Sequence, residues 1–109
     1  MAEIDYDAEL KMELSGAVYH RHYRITLHAI DRYIERIGGD LGNMIADLDG
    51  CWLFNPHQKG LERKMCASAA RCEREGGYAL FNGRVMFLVK PASHQHIILT
   101  TLSNVLNDA

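Results

Sequence analysis

Asn82-Gly83 sits between two apolar runs, Tyr78-Ala79-Leu80-Phe81 and Arg84-Val85-Met86-Phe87-Leu88-Val89, and nothing else in the chain restricts its fold as much. Asn-Gly accepts the positive backbone angles that a tight hairpin demands, so the two runs are expected to lie antiparallel. Pro91-Ala92-Ser93 marks a further turn. His96-Ile97-Ile98-Leu99-Thr100-Thr101-Leu102 then reads as the next strand, which gives an antiparallel sheet over 78–103.

The chain ahead of this sheet is mostly helical in pattern. Residues 1–15 read as an acidic helix with a weak apolar side made from Ile4, Leu10 and Leu14. Val18 to Arg24 is suited to a short extended stretch, with His20, His22 and Arg24 alternating. Residues 26–50 read as a helical pair. Thr26 caps the first helix, Gly38-Gly39 stops it, Asp40 caps the second, and Gly50 closes it. In the first helix Leu27, Ile30, Ile34 and Ile37 gather on one side, with Tyr33 at the margin. Leu41, Met44, Ile45 and Leu48 do the same in the second. Cys51 to Gly60 is a connection anchored by Trp52 and Phe54. From Leu61 to Glu75 the alanines favour helix, although the apolar positions keep no clean period. The expectation is one α+β domain over 1–109, its N-terminal helices packed on a C-terminal antiparallel β-meander.

Composition narrows the class. A chain of 109 residues with 48% hydrophobic and 24% charged content suits a single folded domain. The net charge of −2 does not announce a nucleic-acid binder, but it is unevenly spread. Residues 1–14 carry five carboxylates against Lys11, whereas the remainder is mildly basic. The first residues are acidic with no apolar run behind them, and no tract is long enough to span a bilayer, so a cytoplasmic, non-membrane protein is expected. Cys51, Cys66 and Cys72 form an odd set without a CxxC pair and read as reduced, inert thiols. Phosphate-binding, dinucleotide and hydrolase-elbow motifs are all absent from the sequence.

The chemistry-bearing feature is a ridge on the first helix of the pair. His28, Arg32 and Arg36 follow one another at steps of four. An imidazole can shuttle protons, and guanidiniums can clamp a phosphate with two parallel hydrogen bonds. The ordinary alternative is a solvated helix face in which Asp31 and Glu35 pair with the arginines. A second constellation is the two His-x-His pairs, His20/His22 and His94/His96. On strands each pair would present two imidazoles to one side, so His20, His22, His94 and His96 are candidate zinc ligands, or proton shuttles at the rim of an RNA site.

The segment His28-Ala29-Ile30-Asp31-Arg32-Tyr33-Ile34-Glu35-Arg36, followed by a short helix and a sheet ending in a Thr-bearing strand, resembles small bacterial and phage domains grouped with the RelE-like and colicin-type ribonucleases. That resemblance implies two helices on a four-stranded antiparallel sheet and, in many members, RNA cleavage without metal or cofactor. It makes His28 the candidate acid or base, Glu35 a second base, and Arg32 and Arg36 the phosphate clamp. Thr100 or Thr101 would position the phosphate. The partner is then RNA, or an antitoxin protein that neutralises the activity. The competing expectation is a non-enzymatic phage or mobile-element protein that docks on a host protein.

Overall fold

The computed structural model describes residues 17–105 of the chain. The acidic helix expected over 1–15 lies outside them. The elements run β1 (Val18–His20), β2 (Tyr23–Ile25), α1 (Leu27–Arg36), α2 (Leu41–Asp49), β3 (Trp52–Leu53), α3 (Arg63–Arg74), β4 (Tyr78–Phe81), β5 (Val85–Pro91) and β6 (His96–Ser103). The fold is α+β, with three helices and a six-stranded mixed sheet in the order β1-β2-β6-β5-β4-β3.

Two features correct the expected meander. The sheet recruits β1 and β2 from ahead of the helices, and β2 runs parallel to β6 through Tyr23–His96, Arg24–Ile97 and Ile25–Ile98. The helices are therefore interleaved with the strands. They also occupy both faces of the sheet. One core joins α1 and α2 to the sheet through Ala29, Tyr33, Met44, Leu48, Phe87 and Ile98. The other joins α3 to it through Met65, Ala69, Cys72, Phe81, Met86 and Leu88. Burial on both faces explains the unbroken apolar run of β5. Val85, Phe87 and Val89 serve the first core, and Met86 and Leu88 serve the second.

The caps are those the sequence suggests. Thr26 Oγ1 accepts from the Ala29 amide at 3.1 Å and donates to the Ile98 carbonyl at 2.9 Å, so one hydroxyl starts α1 and ties it to β6. Asp40 and Asn43 form a reciprocal capping box on α2. The β4–β5 hairpin forms as expected. Asn82 N–H donates to the Val85 carbonyl, the Asn82 carboxamide oxygen accepts from the Arg84 and Val85 amides, and Gly83 takes φ +96 at the tip. Gly77 is required by close approach, since a Cβ there would lie 2.5 Å from the Val89 carbonyl oxygen.

Three local readings need correction. The expected extended stretch over Val18 to Arg24 is a hairpin, broken at Arg21-His22, with Arg21 at φ +55. The apolar side of α1 is rotated from the expected one. Ala29 and Tyr33 are buried, whereas Leu27 and Ile34 remain 48% and 49% exposed. Small Ala29 lets the helix approach β6 closely, and the Tyr33 ring stacks on Phe87 at 6.4 Å. The helix favoured over Leu61 to Glu75 forms as α3, and it is the expected lack of apolar period that fails, since its buried positions Met65, Ala69 and Cys72 keep helical spacing.

Candidate functional site

The free side of β6 organises the candidate site. β2 pairs only with residues 96–98, so from Leu99 onward that side of β6 has no strand neighbour among the described residues. A register shift between Leu88 and Val89 leaves Leu99 as an extra residue in β6. This bulge fixes the direction of the side chains around it. Ile98 and Thr101 face α1, while Thr100 faces α3.

The six residues expected at an active site therefore divide into three groups. Thr101 is fully buried, and its hydroxyl donates to the Ala29 carbonyl at 2.8 Å, so it fastens α1 to the sheet. Thr100 lines the opposite face. Arg32 pairs with Glu35 at 2.9 Å on the solvent side of α1, and His28 is exposed one turn earlier. Arg36 reaches the β6 edge, where its Nη1 donates to the Thr101 carbonyl at 2.9 Å. The structure thus brings Arg36 against Thr101 through backbone rather than hydroxyl, and keeps Thr100 away from all of them.

Arg36 also belongs to a larger feature, a trough between α3 and β6. One part, about 360 Å³, is lined by Arg36, Glu62, Lys64, Met65, Ser68, Leu102 and Ser103. Ser68 continues into a part lined by Arg71, Cys72, Glu75, Leu88, Leu99 and Thr100. Cys72, Glu75 and Leu99 carry it on to Gly77 and Lys90. Lys64, Ser68, Arg71 and Glu75 repeat at steps of four, three and four, which places them on one flank of α3 beside its buried face. The floor is apolar and the walls carry Arg36, Lys64, Arg71 and Lys90 against two carboxylates. One of those is engaged as the cap of α3 and stays ionised. The Glu62 carboxylate accepts from the Lys64 amide at 3.0 Å and the Met65 amide at 2.7 Å, and these bonds hold it below the usual carboxylate range. Lys64, Ser68, Arg71, Lys90 and Ser103 were not singled out from the sequence. The polar repeat of α3 was the available signal, hidden by the weak apolar period around it.

The histidines assemble differently from either His-x-His pair. His20 bonds Asp49 at 2.8 Å, and His94 is exposed in the β5–β6 turn. His22 and His96 meet, one from each pair, with ring centres 5.2 Å apart. Among the described residues no three His, Cys, Asp or Glu side chains group closely enough to hold a metal, so the four-histidine arrangement does not form. The Tyr78 phenol contacts His96 Nδ1 at 2.5 Å, and burial, reinforced by Tyr23, raises its pKa well above the ordinary tyrosine value. Burial pushes the Cys51 thiol up to about 12 and also raises those of Cys66 and Cys72.

No helix among the described residues is long and apolar enough to cross a membrane. Comparison with known proteins gives no matching family model, no matching curated protein and no matching solved structure.

Proposed function

We propose that this chain is a small metal-independent ribonuclease-like protein that grips the backbone of single-stranded RNA in the trough between α3 and β6. One observation carries the reading: Arg36 belongs both to the His28–Arg32–Arg36 ridge and to the cationic trough. A phosphate held there meets Arg36 and Lys64, with the hydroxyls of Ser68 and Ser103 beside them. His28 lies two helical turns away, about 12 Å along the axis. An RNA running off the trough along α1 therefore reaches an exposed imidazole. Cleavage needs a base to take the 2′-hydroxyl proton and an acid to protonate the leaving 5′ oxygen. His28 and Glu35 supply those roles, and the guanidiniums stabilise charge on the phosphorane. No aromatic ring lines the described trough, so recognition is of backbone rather than base, with weak sequence preference.

The test separates grip from chemistry. In titrations of a fluorescent single-stranded RNA, Lys64→Ala with Arg71→Ala lowers the slope of log affinity against log salt by roughly 1.4, two lost contacts on a single strand. His28→Ala keeps the affinity and slows cleavage by about 10²-fold or more. Unchanged salt dependence in the double variant, or undiminished cleavage in His28→Ala, overturns the reading.

A second reading has its own observation. Trp52 and Leu53, 48% and 66% exposed, stand on the edge strand β3, a pattern suited to docking on a host or antitoxin protein. A stable complex lost in Trp52→Ala, with no RNA turnover by the parent, would favour it.

A further inference from the structure

His22 and His96 are used by neither the trough nor the ridge, yet the fold holds them together. Their rings sit edge to face, 5.2 Å between centres at an interplanar angle of 81°. Two imidazoles bound to one tetrahedral ion, with metal–nitrogen bonds of about 2.0–2.1 Å, have ring centres roughly 5 Å apart. The observed spacing leaves room for such an ion between the two rings.

The His96 ring has a side-chain partner, and His22 is held at its backbone. His96 Nδ1 contacts Tyr78 Oη at 2.5 Å. In the tautomer in which the phenol accepts from His96 Nδ1–H, Nε2 of His96 keeps its lone pair for an ion. An outer partner on the second ring nitrogen is the usual device that orients a metal-binding histidine. His22 is held through its backbone, where its carbonyl accepts from the His96 N–H at 2.7 Å. The preceding Arg21 has φ +55, the only positive φ outside glycine among the described residues. His20 Nε2 and Arg21 Nε both grip Asp49 Oδ1, at 2.8 and 3.1 Å, so this strained turn is anchored to α2.

We propose that His22 and His96 form a two-imidazole site for a borderline divalent transition-metal ion, such as Ni²⁺, Cu²⁺ or Zn²⁺, with water in the remaining positions. Neutral nitrogen donors favour these ions, whereas Mg²⁺ and Ca²⁺ require oxygen-rich cages. The site lies at the start of β6, away from the Arg36 end of the trough, and its occupancy does not depend on RNA.

Titration of the whole chain with Ni²⁺ tests this, followed by calorimetry and by imidazole signals in nuclear magnetic resonance spectra. One ion binds per chain. The ring signals of His22 and His96 broaden first, and those of His28 and His57 stay sharp. His22→Gln and His96→Gln each weaken binding at least tenfold, and Tyr78→Phe weakens it by about tenfold through loss of the outer partner. Thermal melting of the same variants shows that the fold is retained. Because His22 is exposed in a turn, His22→Gln is the deciding variant. Titration of His22→Gln identical to the parent overturns the site, as does broadening of His57 in step with His22 and His96.

Discussion

The two faces of the sheet use similar residues to opposite ends. On the α1 side, polar groups are spent on one another. Thr101 is bonded to Ala29, Thr26 to Ile98, and Asp47 takes the Tyr33 phenol together with Asn82 and Arg84. On the α3 side, small Ala69 and Cys72 bring the helix close to β4 and β5, while Ser68, Arg71, Thr100 and Lys90 border an open trough over β6. A threonine or arginine type therefore says little about role. What decides is whether packing has already claimed its donors and acceptors.

The difference is broken most severely at Asp47. Its carboxylate joins three elements, so Asp47→Ala strands the Tyr33 phenol and the Asn82 amide in partly buried positions. A loss of about 2–3 kcal/mol is expected in chemical denaturation, in proportion to the buried groups left unsatisfied. The same site gives a pH signature. Burial, aided by the hydrogen bond to Asp47, raises Tyr33 to about 12 from an ordinary value of 10.0. The folded state thus holds this proton when the unfolded state has lost it. The associated stability is full below about pH 10 and disappears as pH rises towards 12. Tyr33→Phe makes that alkaline limb shallower, leaving the part that comes from Tyr78 and Cys51; an unchanged limb would assign all of it to those groups.

A smaller and sharper contrast compares two neighbours. Thr101→Val removes the donor to the Ala29 carbonyl and is expected to cost about 1–2 kcal/mol. Thr100→Val, one residue away on the trough side, stays within about 0.5 kcal/mol. Equal costs from paired denaturation curves would mean that the two side chains do not face opposite sides of β6.

Distance along the chain explains much of what was and was not legible in the sequence. Asn82-Gly83, the Thr26 and Asp40 caps, and the β5 and β6 segments rest on local backbone chemistry and could be read directly. The partnership of β2 with β6 could not, because it joins residues more than seventy positions apart. The buried side of α1 was misjudged for a related reason. Ala29 and Tyr33 are chosen by what lies beneath them, not by being the most apolar residues of the helix. The ridge was visible as a spacing of four. The trough was not, since it is made where α3, β6 and the end of α1 meet.

The gentlest perturbation is at the edge of the sheet. Asp49 accepts from His20 and Arg21, and the His20 bond is the first reason that its carboxyl is held below the usual range. A depressed carboxyl stabilises the fold above its unfolded pKa, and that contribution is lost as pH falls through the folded value. For an exposed tether the effect on global melting is slight. Hydrogen exchange reads it better. In Asp49→Asn the amides of β1 exchange faster at neutral pH, while those of β5 do not change. Acidifying the parent below the ordinary carboxylate range produces the same local loosening, and the variant shows no further response. If β1 and β5 instead loosen together, the hairpin is part of the central cooperative unit, and the Arg21-His22 turn owes its shape to the sheet rather than to Asp49.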